Sequence, residues 1–369
     1  MNFKAKRQDF LDALYWTQST VERRTTMPIL ANVLVEFHIN DTRVTATDLE
    51  IGVRAKLDAE VGEEGAVTLN AKKLYDIVRE SSGEVIQLKR LENDWVEIKS
   101  GKSVFKMVGL DPKDFPHFPD FDPKFLVPVP AKVLEEMIDK TIFSVSTDET
   151  RSNLNGAFLE EIEGGKARMV ATDGHRLAMV ERQVGALGLK KGVILPRKGL
   201  AELRKILEGA GGEGVAQIGF KENMGLVVKG NVELFMRLAE SEFPDYTKVI
   251  PQGNPYNVKI EQKGFLQALR RVSILSSERY KGIKIELKPE GMAISASNPD
   301  LGEAVEELDV EYKGKALAVG FNARYLIDVL TVLEDDGDVD IELKDELSPS
   351  LLRRGGDEGY TYVVMPMKL

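Results

Sequence analysis

The chain has 369 residues, 43% of them hydrophobic, and carries 50 Lys and Arg against 60 Asp and Glu, a formal charge of −10. That length sets an expectation of two or three domains with globular cores. No apolar run approaches the ~20 residues of a membrane span, the opening MNFKAKRQDF lacks the apolar run of a secretory signal, and cysteine is absent, which removes disulfides and Cys-ligated zinc; a cytoplasmic protein without a membrane partner is expected.

In chain order, Phe10, Leu11 and Leu14 stand at helical spacing and predict a helix within 6–20. Val33, Val35, Phe37 and Ile39 alternate with polar residues and predict a strand. A second helix is predicted over 71–80 and further helices over 131–140 and 197–208. Ala216, Ile218 and Phe220 predict a strand after that helix. Phe265, Leu269 and Val272 mark a helix within 263–281. Ile283, Ile285 and Leu287 mark a strand, 323–333 a helix, and Val339, Ile341 and Leu343 a last alternating strand. The pattern helix, strands, helix, strands therefore occurs more than once.

The sequence itself repeats. Ala46-Thr47-Asp48 returns as Ala171-Thr172-Asp173 and, degraded, as Ala296-Ser297-Asn298, at steps of 125 residues. Leu74 and Ile77 return as Leu200 and Leu203 and again as Leu326 and Val329, at steps of 126. Phe105-Lys106-Met107 returns in type as Leu234-Phe235-Met236 and Val363-Val364-Met365, at steps of 129. A period this long makes each copy a domain rather than a solenoid unit. Prolines cluster at 112–130 and 244–255 and favour extended connectors, so boundaries are placed near 125 and 250, giving domains 1–125, 126–250 and 251–369.

Charge is unevenly divided. The helix-bearing segments 1–24, 71–80, 131–140, 197–208, 263–281 and 323–333 sum to +8, which leaves −18 elsewhere. Cationic helices presented on one side would attract phosphates there despite the negative total; solvated helix faces give the same tally.

Four motifs need weighing. Gly209-Ala210-Gly211-Gly212-Glu213-Gly214 fits a dinucleotide-loop pattern, but a helix precedes it and a strand follows, the reverse of what phosphate binding needs, so it reads as a loop. Asp173-Gly174-His175-Arg176 looks like acid–base material, yet neighbouring residues do not normally set a carboxylate behind the imidazole, and no nucleophile motif accompanies it. Ala-Thr-Asp reads as a strand end and its turn, which leaves Gly-His-Arg-Leu of the second copy as a binding feature. Arg23-Arg24 after the first helix suits either a helix C-terminus or a phosphate contact. The tail Val363 to Leu369 is apolar, and Val363 and Val364 fit a closing strand better than Met365 to Leu369 do. Exposed methionines suit a pocket that receives several partners.

Met27-Pro28-Ile29-Leu30-Ala31-Asn32, Ala171-Thr172-Asp173-Gly174-His175-Arg176-Leu177-Ala178, Phe243-Pro244-Asp245-Tyr246 and Met365-Pro366-Met367-Lys368-Leu369 together resemble the bacterial DNA polymerase sliding clamps, the β subunits of the replicative polymerase. The resemblance spans the whole chain. It implies an α+β fold of three repeated DNA-clamp domains, each with two helices packed on antiparallel sheets. It also implies a head-to-tail dimer closing a six-domain ring, helices inward. Such a ring is a processivity factor. It catalyses nothing, uses no cofactor or metal, and encircles duplex DNA without regard to sequence. Short linear peptides of the replicative polymerase, clamp loader and repair polymerases dock on it.

The same resemblance implies site residues. A peptide pocket between the second and third domains matches Leu154, Thr172, Gly174, His175, Arg176, Leu177, Pro244, Val249, Val363, Met365, Pro366 and Met367. Arg24 matches a DNA contact, and Lys72, Lys73, Arg197 and Lys198 are added as phosphate neighbours from their helix-start positions. Phe105, Ile274 and Leu275 match dimer-interface positions. Near Asp148 and Glu149 the family often has a DNA-contacting Gln, and that role is not carried over to acidic residues. Lys368 stands where many members have Arg and lacks the bidentate fork. Two readings compete: a hydrolase or transferase using Asp173 and His175, and a repeat-built scaffold that binds no DNA.

Overall fold

The structure, a computed structural model, describes residues 2–21, 26–209, 213–289, 291–333 and 337–368. Among these residues there are six α-helices: α1 (Arg7–Gln18), α2 (Ala71–Glu80), α3 (Ala131–Asp139), α4 (Arg197–Glu208), α5 (Gln262–Val272) and α6 (Ala323–Val332). All six fall on predicted segments. Caps explain several starts. The Asn70 side chain accepts from the Lys73 N–H at 3.1 Å, Asn322 from the Arg324 N–H at 3.0 Å and Glu261 from the Lys263 N–H at 3.1 Å. The helix expected within 263–281 takes only the first part of that segment. It ends at Val272 and a single 3-10 turn, Ser273–Leu275, follows.

The sequence pattern also missed short strands. Asn2–Lys6, Val127–Pro130 and Tyr256–Glu261 each lead directly into the first helix of a copy. Val127–Pro130 is four residues long with two prolines, whereas Asn2–Lys6 and Tyr256–Glu261 alternate strictly in residue type and burial, a signal that the reading of the sequence passed over. Ile39 is the other correction. Val33, Val35 and Phe37 are fully buried, but the strand ends at His38, so Ile39 sits in a turn with 68% exposure.

The residues divide into two compact units: 1–134 with 198–238, and 135–197 with 239–369. In the first, an eight-stranded antiparallel sheet runs in the order Val127–Pro130, Val215–Lys221, Met224–Lys229, Val232–Arg237, Ile51–Leu57, Asp41–Thr47, Asn32–His38, Gly65–Asn70. A five-stranded sheet follows Ala59–Glu63, Asn2–Lys6, Val85–Arg90, Trp95–Ser100, Ser103–Val108. Phe10, Ala13 and Leu14 of α1 and Leu74 and Val78 of α2 are buried, at 0–1% exposure. Burying each large side chain contributes about 1.5–3 kcal/mol.

The second unit has the corresponding plan. Its eight strands run Val193–Pro196, Gly156–Ile162, Lys166–Thr172, Arg176–Gln183, Tyr360–Val364, Ser350–Arg354, Asp338–Leu343, Tyr256–Glu261. A four-stranded sheet runs Gly302–Leu308, Gly291–Asn298, Gly282–Lys288, Leu317–Asn322. Helices α5 and α6 bury Phe265, Leu269, Leu326, Val329 and Leu330. Gln262, 1% exposed, donates to the Leu330 carbonyl at 2.7 Å and so satisfies one orphan acceptor at the end of α6.

Both large sheets join strands of different sequence copies. Ile51–Leu57 pairs with Val232–Arg237, and Arg176–Gln183 with Tyr360–Val364. The ladder registers correct the third repeat landmark. Gly52 faces Phe235 as Leu177 faces Val363, so Phe235 corresponds to Val363 and Arg237, not Met236, to Met365. The step is thus 128 residues, one less than the similarity of residue types suggested.

A four-charge cluster braces the second unit. Lys140 Nζ lies 2.7 Å from Glu136 and 2.6 Å from Asp357, and Arg182 lies 2.6 Å and 2.7 Å from the same carboxylates. Burial alone would raise both carboxyls. Hydrogen bonds from Arg182 and Lys140 outweigh it and hold both below their ordinary values of 4.5 and 3.8. A depressed folded value stabilises above the unfolded value and is lost as pH falls through the folded one. Stability should therefore hold from pH 7 to 5 and decline below about 4. In urea titrations at pH 7 and pH 3, Asp357→Asn should narrow the difference seen for the parent chain; an unchanged difference would refute the assignment.

Candidate functional site

The turn between Lys166–Thr172 and Arg176–Gln183 organises the site. Thr172 Oγ1 donates to the Arg176 carbonyl at 2.6 Å and accepts from the Gly174 N–H at 3.1 Å. Asp173 Oδ1 accepts from the His175 and Arg176 N–H groups at 2.9 and 3.1 Å. Gly174 has φ +91°, a conformation that a Cβ would strain. Ala-Thr-Asp is thus a strand end and a turn, as its repetition suggested. It also consumes the Asp173 carboxylate, whose other oxygen holds Arg176 Nε at 3.1 Å. Asp173 is not aligned behind an imidazole, and the exposed His175 ring lies 6.4 Å from the Tyr325 ring instead.

Beside the turn lies a cavity of about 240 Å³ lined by Arg151, Leu154, Thr172, Gly174, Arg176, Leu177, Pro244, Asp245, Tyr246, Val249, Val363 and Met365. Nine of the twelve expected pocket residues are among these. His175, Pro366 and Met367 are not. His175 binds the tail through its carbonyl, which accepts the Met365 N–H at 2.8 Å. Met367 donates its N–H to Gly320 and, with Lys368, lines two larger and more open cavities of about 660 and 400 Å³ on the neighbouring sheet. The last strand ends at Val364, so Val363 completes the sheet while Met365 turns to the cavity.

Sequence reasoning missed Arg151, Asp245 and Tyr246. The last two were visible in Phe243-Pro244-Asp245-Tyr246, of which only the proline was carried over. Arg151 is an exposed loop residue with no signal of its own; its guanidinium donates to the Asp173 carbonyl at 3.1 Å. Tyr246 shapes the wall. Val170, Leu177, Leu351 and Val363 pack around it. Its hydroxyl donates to Glu160 and accepts from Arg168 at 2.8 Å. Burial, then the bond to Glu160, pushes that hydroxyl up to about 12. It stays protonated and fixed at neutral pH.

Arg176 is 8% exposed, and its guanidinium is already engaged. It meets Asp328 at 2.7 Å and the Phe143 carbonyl, and lies 4.6 Å over the Tyr325 ring. It offers the cavity a wall rather than a free cation. The result is an apolar slot with fixed polar margins.

Three family models match nearly the whole chain: the DNA polymerase III beta subunit N-terminal domain over residues 1–119, its central domain over 128–245 and its C-terminal domain over 247–368. The chain belongs to the DNA polymerase III beta subunit family. It is similar to the beta sliding clamp of Vibrio cholerae, 36% identical over 374 residues and covering all of both chains. Among solved structures it resembles the Pseudomonas aeruginosa sliding clamp at 34% identity and TM-score 0.93. It also resembles the Bartonella birtlesii sliding clamp bound to griselimycin at 33% and 0.95; both matches cover all of both chains. As a member of that family the chain is a non-catalytic processivity subunit with three clamp domains in an α+β fold, and the hydrolase reading of Asp173 and His175 is set aside.

The remaining expected clamp residues are placed as follows. Arg24 lies outside the described residues. Lys72 and Lys73 are exposed on the first turn of α2, and Arg197 is exposed at the start of α4. Lys198 is half engaged, 3.0 Å from Asp48 and 3.3 Å from Glu50. Asp148 caps its own loop through Thr150. Phe105 is 36% exposed on the edge strand Ser103–Val108, Ile274 is 73% exposed and Leu275 is half-buried. Removing the Arg176 guanidinium would leave Asp173 with only its two backbone donors and Asp328 with only Arg324, 3.9 Å away. We expect Arg176→Met to lower unfolding free energy by about 3–5 kcal/mol in denaturant titration, whereas a loss below about 1 kcal/mol would show the cluster to be dispensable.

Proposed function

We propose that two copies of this chain, each with domain borders near 125 and 250, close head to tail into a ring around duplex DNA in the cytoplasm. The cavity beside Thr172–Arg176 then receives short peptides of the replicative polymerase, the clamp loader and repair polymerases. The observation that carries the DNA reading is the first turn of the helices. Arg7, Lys72 and Lys73, Lys132, Arg197 and Lys198, Lys263 and Arg324 put a cation at the start of every one of the six. Only α1 has an acidic residue in its first turn. Helix dipoles favour anions at that end, so this placement costs local stability and adds to the positive potential felt by phosphates. Arg24, Lys72, Lys73 and Arg197 are assigned to that contact, with Lys198 weaker because carboxylates share its ammonium.

Two of the sheet edges among the described residues support the ring reading. Ser103–Val108 exposes Val104, Phe105 and Val108 beside Lys102 and Lys106. Gly302–Leu308 exposes Val305 beside Glu303 and Glu307, with Leu301 and Ile274 nearby in sequence or on the preceding helix turn. Unpaired edges with apolar centres and opposite charges suit antiparallel pairing between chains. Phe105, Ile274 and Leu275 are assigned there.

A ring held by linkage needs no tight grip, and phosphate contacts that weaken with salt let it slide. After loading onto nicked circular plasmid, the protein should co-elute with DNA in gel filtration and be released by linearisation at a single site. Equal retention on both forms would reject the ring and favour a scaffold. Ile274→Ala with Leu275→Ala should give monomers in sedimentation; an intact dimer would reject that interface. His175→Ala should weaken peptide binding without altering the ring, since it removes only the exposed imidazole beside Tyr325 and keeps the backbone carbonyl that accepts the Met365 N–H; unchanged peptide affinity would reject a role for that side chain.

A further inference from the structure

The first sequence copy builds the same joint, and there it is closed. Thr47 Oγ1 donates to the Ile51 carbonyl at 2.7 Å and accepts from the Leu49 N–H at 3.0 Å. Asp48 Oδ1 accepts from the Glu50 and Ile51 N–H groups at 3.0 and 2.8 Å. Leu49 has φ +75° where Gly174 has +91°. The strand from the next copy arrives in the same way: the Arg237 N–H donates to Glu50 at 2.9 Å, as the Met365 N–H does to His175 at 2.8 Å. The connectors also correspond, Phe115-Pro116-His117-Phe118 against Phe243-Pro244-Asp245-Tyr246. Both line a cavity. The one in the first joint is about 140 Å³ and is bounded by Thr47, Leu49, Gly52, Phe118, Phe235 and Arg237 among others.

The differences explain the smaller space. Gly52 stands where Leu177 forms the wall of the open cavity, and the Phe118 ring lies over it. A Cβ on Gly52 would come within 3.1 Å of that ring. Arg54 Cζ sits 3.9 Å above the ring centre and the Phe235 ring 5.9 Å away. Tyr246, the counterpart of Phe118, is held in place by hydroxyl bonds to Glu160 and Arg168, which phenylalanine cannot make.

We propose that the first joint is a second peptide pocket occupied by the chain's own Phe118, which takes the place that an apolar anchor of a partner peptide takes in the other joint. The chain thereby offers one peptide site instead of two and staples its first two copies together. With Phe118 removed, the pocket would accept a peptide with an apolar anchor. Arg237 in place of Met365 favours one that also carries a carboxylate. This rests on the reading of the larger cavity as a peptide site.

Griselimycin, seen bound to relatives, is the probe. Calorimetric titration of the full chain should give one equivalent, and Phe118→Ala two, the second weaker. With Met365→Arg added to block the larger cavity, Phe118→Ala should retain one. Phe118→Val, which vacates most of the ring volume, should behave as Phe118→Ala if the smaller side chain proves too destabilising. A folded variant, by circular dichroism, that still takes one equivalent overturns the proposal, as does unfolding of both variants, which would make Phe118 packing alone. A parent chain that takes none contradicts the underlying peptide-site reading instead.

Discussion

Backbone hydrogen bonds between strands of successive sequence copies hold the site in place. Ile51–Leu57 lies against Val232–Arg237 and Arg176–Gln183 against Tyr360–Val364, so neither copy can shift without exposing a row of buried donors and acceptors. An unpaired buried backbone group costs about as much as a lost hydrogen bond, and these seams carry several each. The seam also sets where the cavity forms. The strand leaves the sheet at Val364, His175 holds the next N–H, and Met365 is delivered to the cavity beside the turn. The arrangement is continuous with the core, because Val363 and Leu177 are both cavity wall and buried sheet residues.

Electrostatics works at a different scale. The chain is acidic in total, and an acidic protein does not accumulate on DNA by net charge. What matters is where the cations are. Lys and Arg at the helix starts oppose the local dipole, so they are poorly explained by helix stability alone. Contacts of this kind are non-directional and screened by salt, which suits a protein that must move along a duplex. Arg176 shows the opposite use of a cation. Its guanidinium is consumed by Asp173, Asp328 and a carbonyl, so it fixes geometry and leaves recognition to apolar surface.

Much of this was legible in the residues. Helix positions followed from apolar spacing, and Ala-Thr-Asp read as a strand end and its turn because it repeats while the residues after it do not; Thr172 and Asp173 stand four and three residues before the next strand and accept the N–H groups of Gly174, His175 and Arg176. Val127–Pro130 was not legible, since four residues with two prolines give no strand pattern, whereas Asn2–Lys6 alternates strictly and was passed over because the helix signal of Phe10, Leu11 and Leu14 follows it at once. The one-residue slip of the third landmark arose because Met236 and Met365 share a type but not a place in the ladder; only the pairing distinguishes them. Arg151 could not have been found, as nothing in its neighbours marks a loop arginine for a cavity wall. Phe118 was hidden for a related reason: its role depends on the missing side chain of Gly52, 66 positions away in the sequence.

The central claim is that DNA is held by linkage rather than by affinity, and covalent closure tests it most directly. The chain has no cysteine, so Val104→Cys with Val305→Cys places one thiol on each free edge. After loading on closed circular DNA, a short bis-maleimide should join both interfaces, and the protein should then remain with the circle through detergent and high salt, escaping only when the DNA is cut. Cross-linked protein that washes off an uncut circle under denaturing conditions would contradict the account.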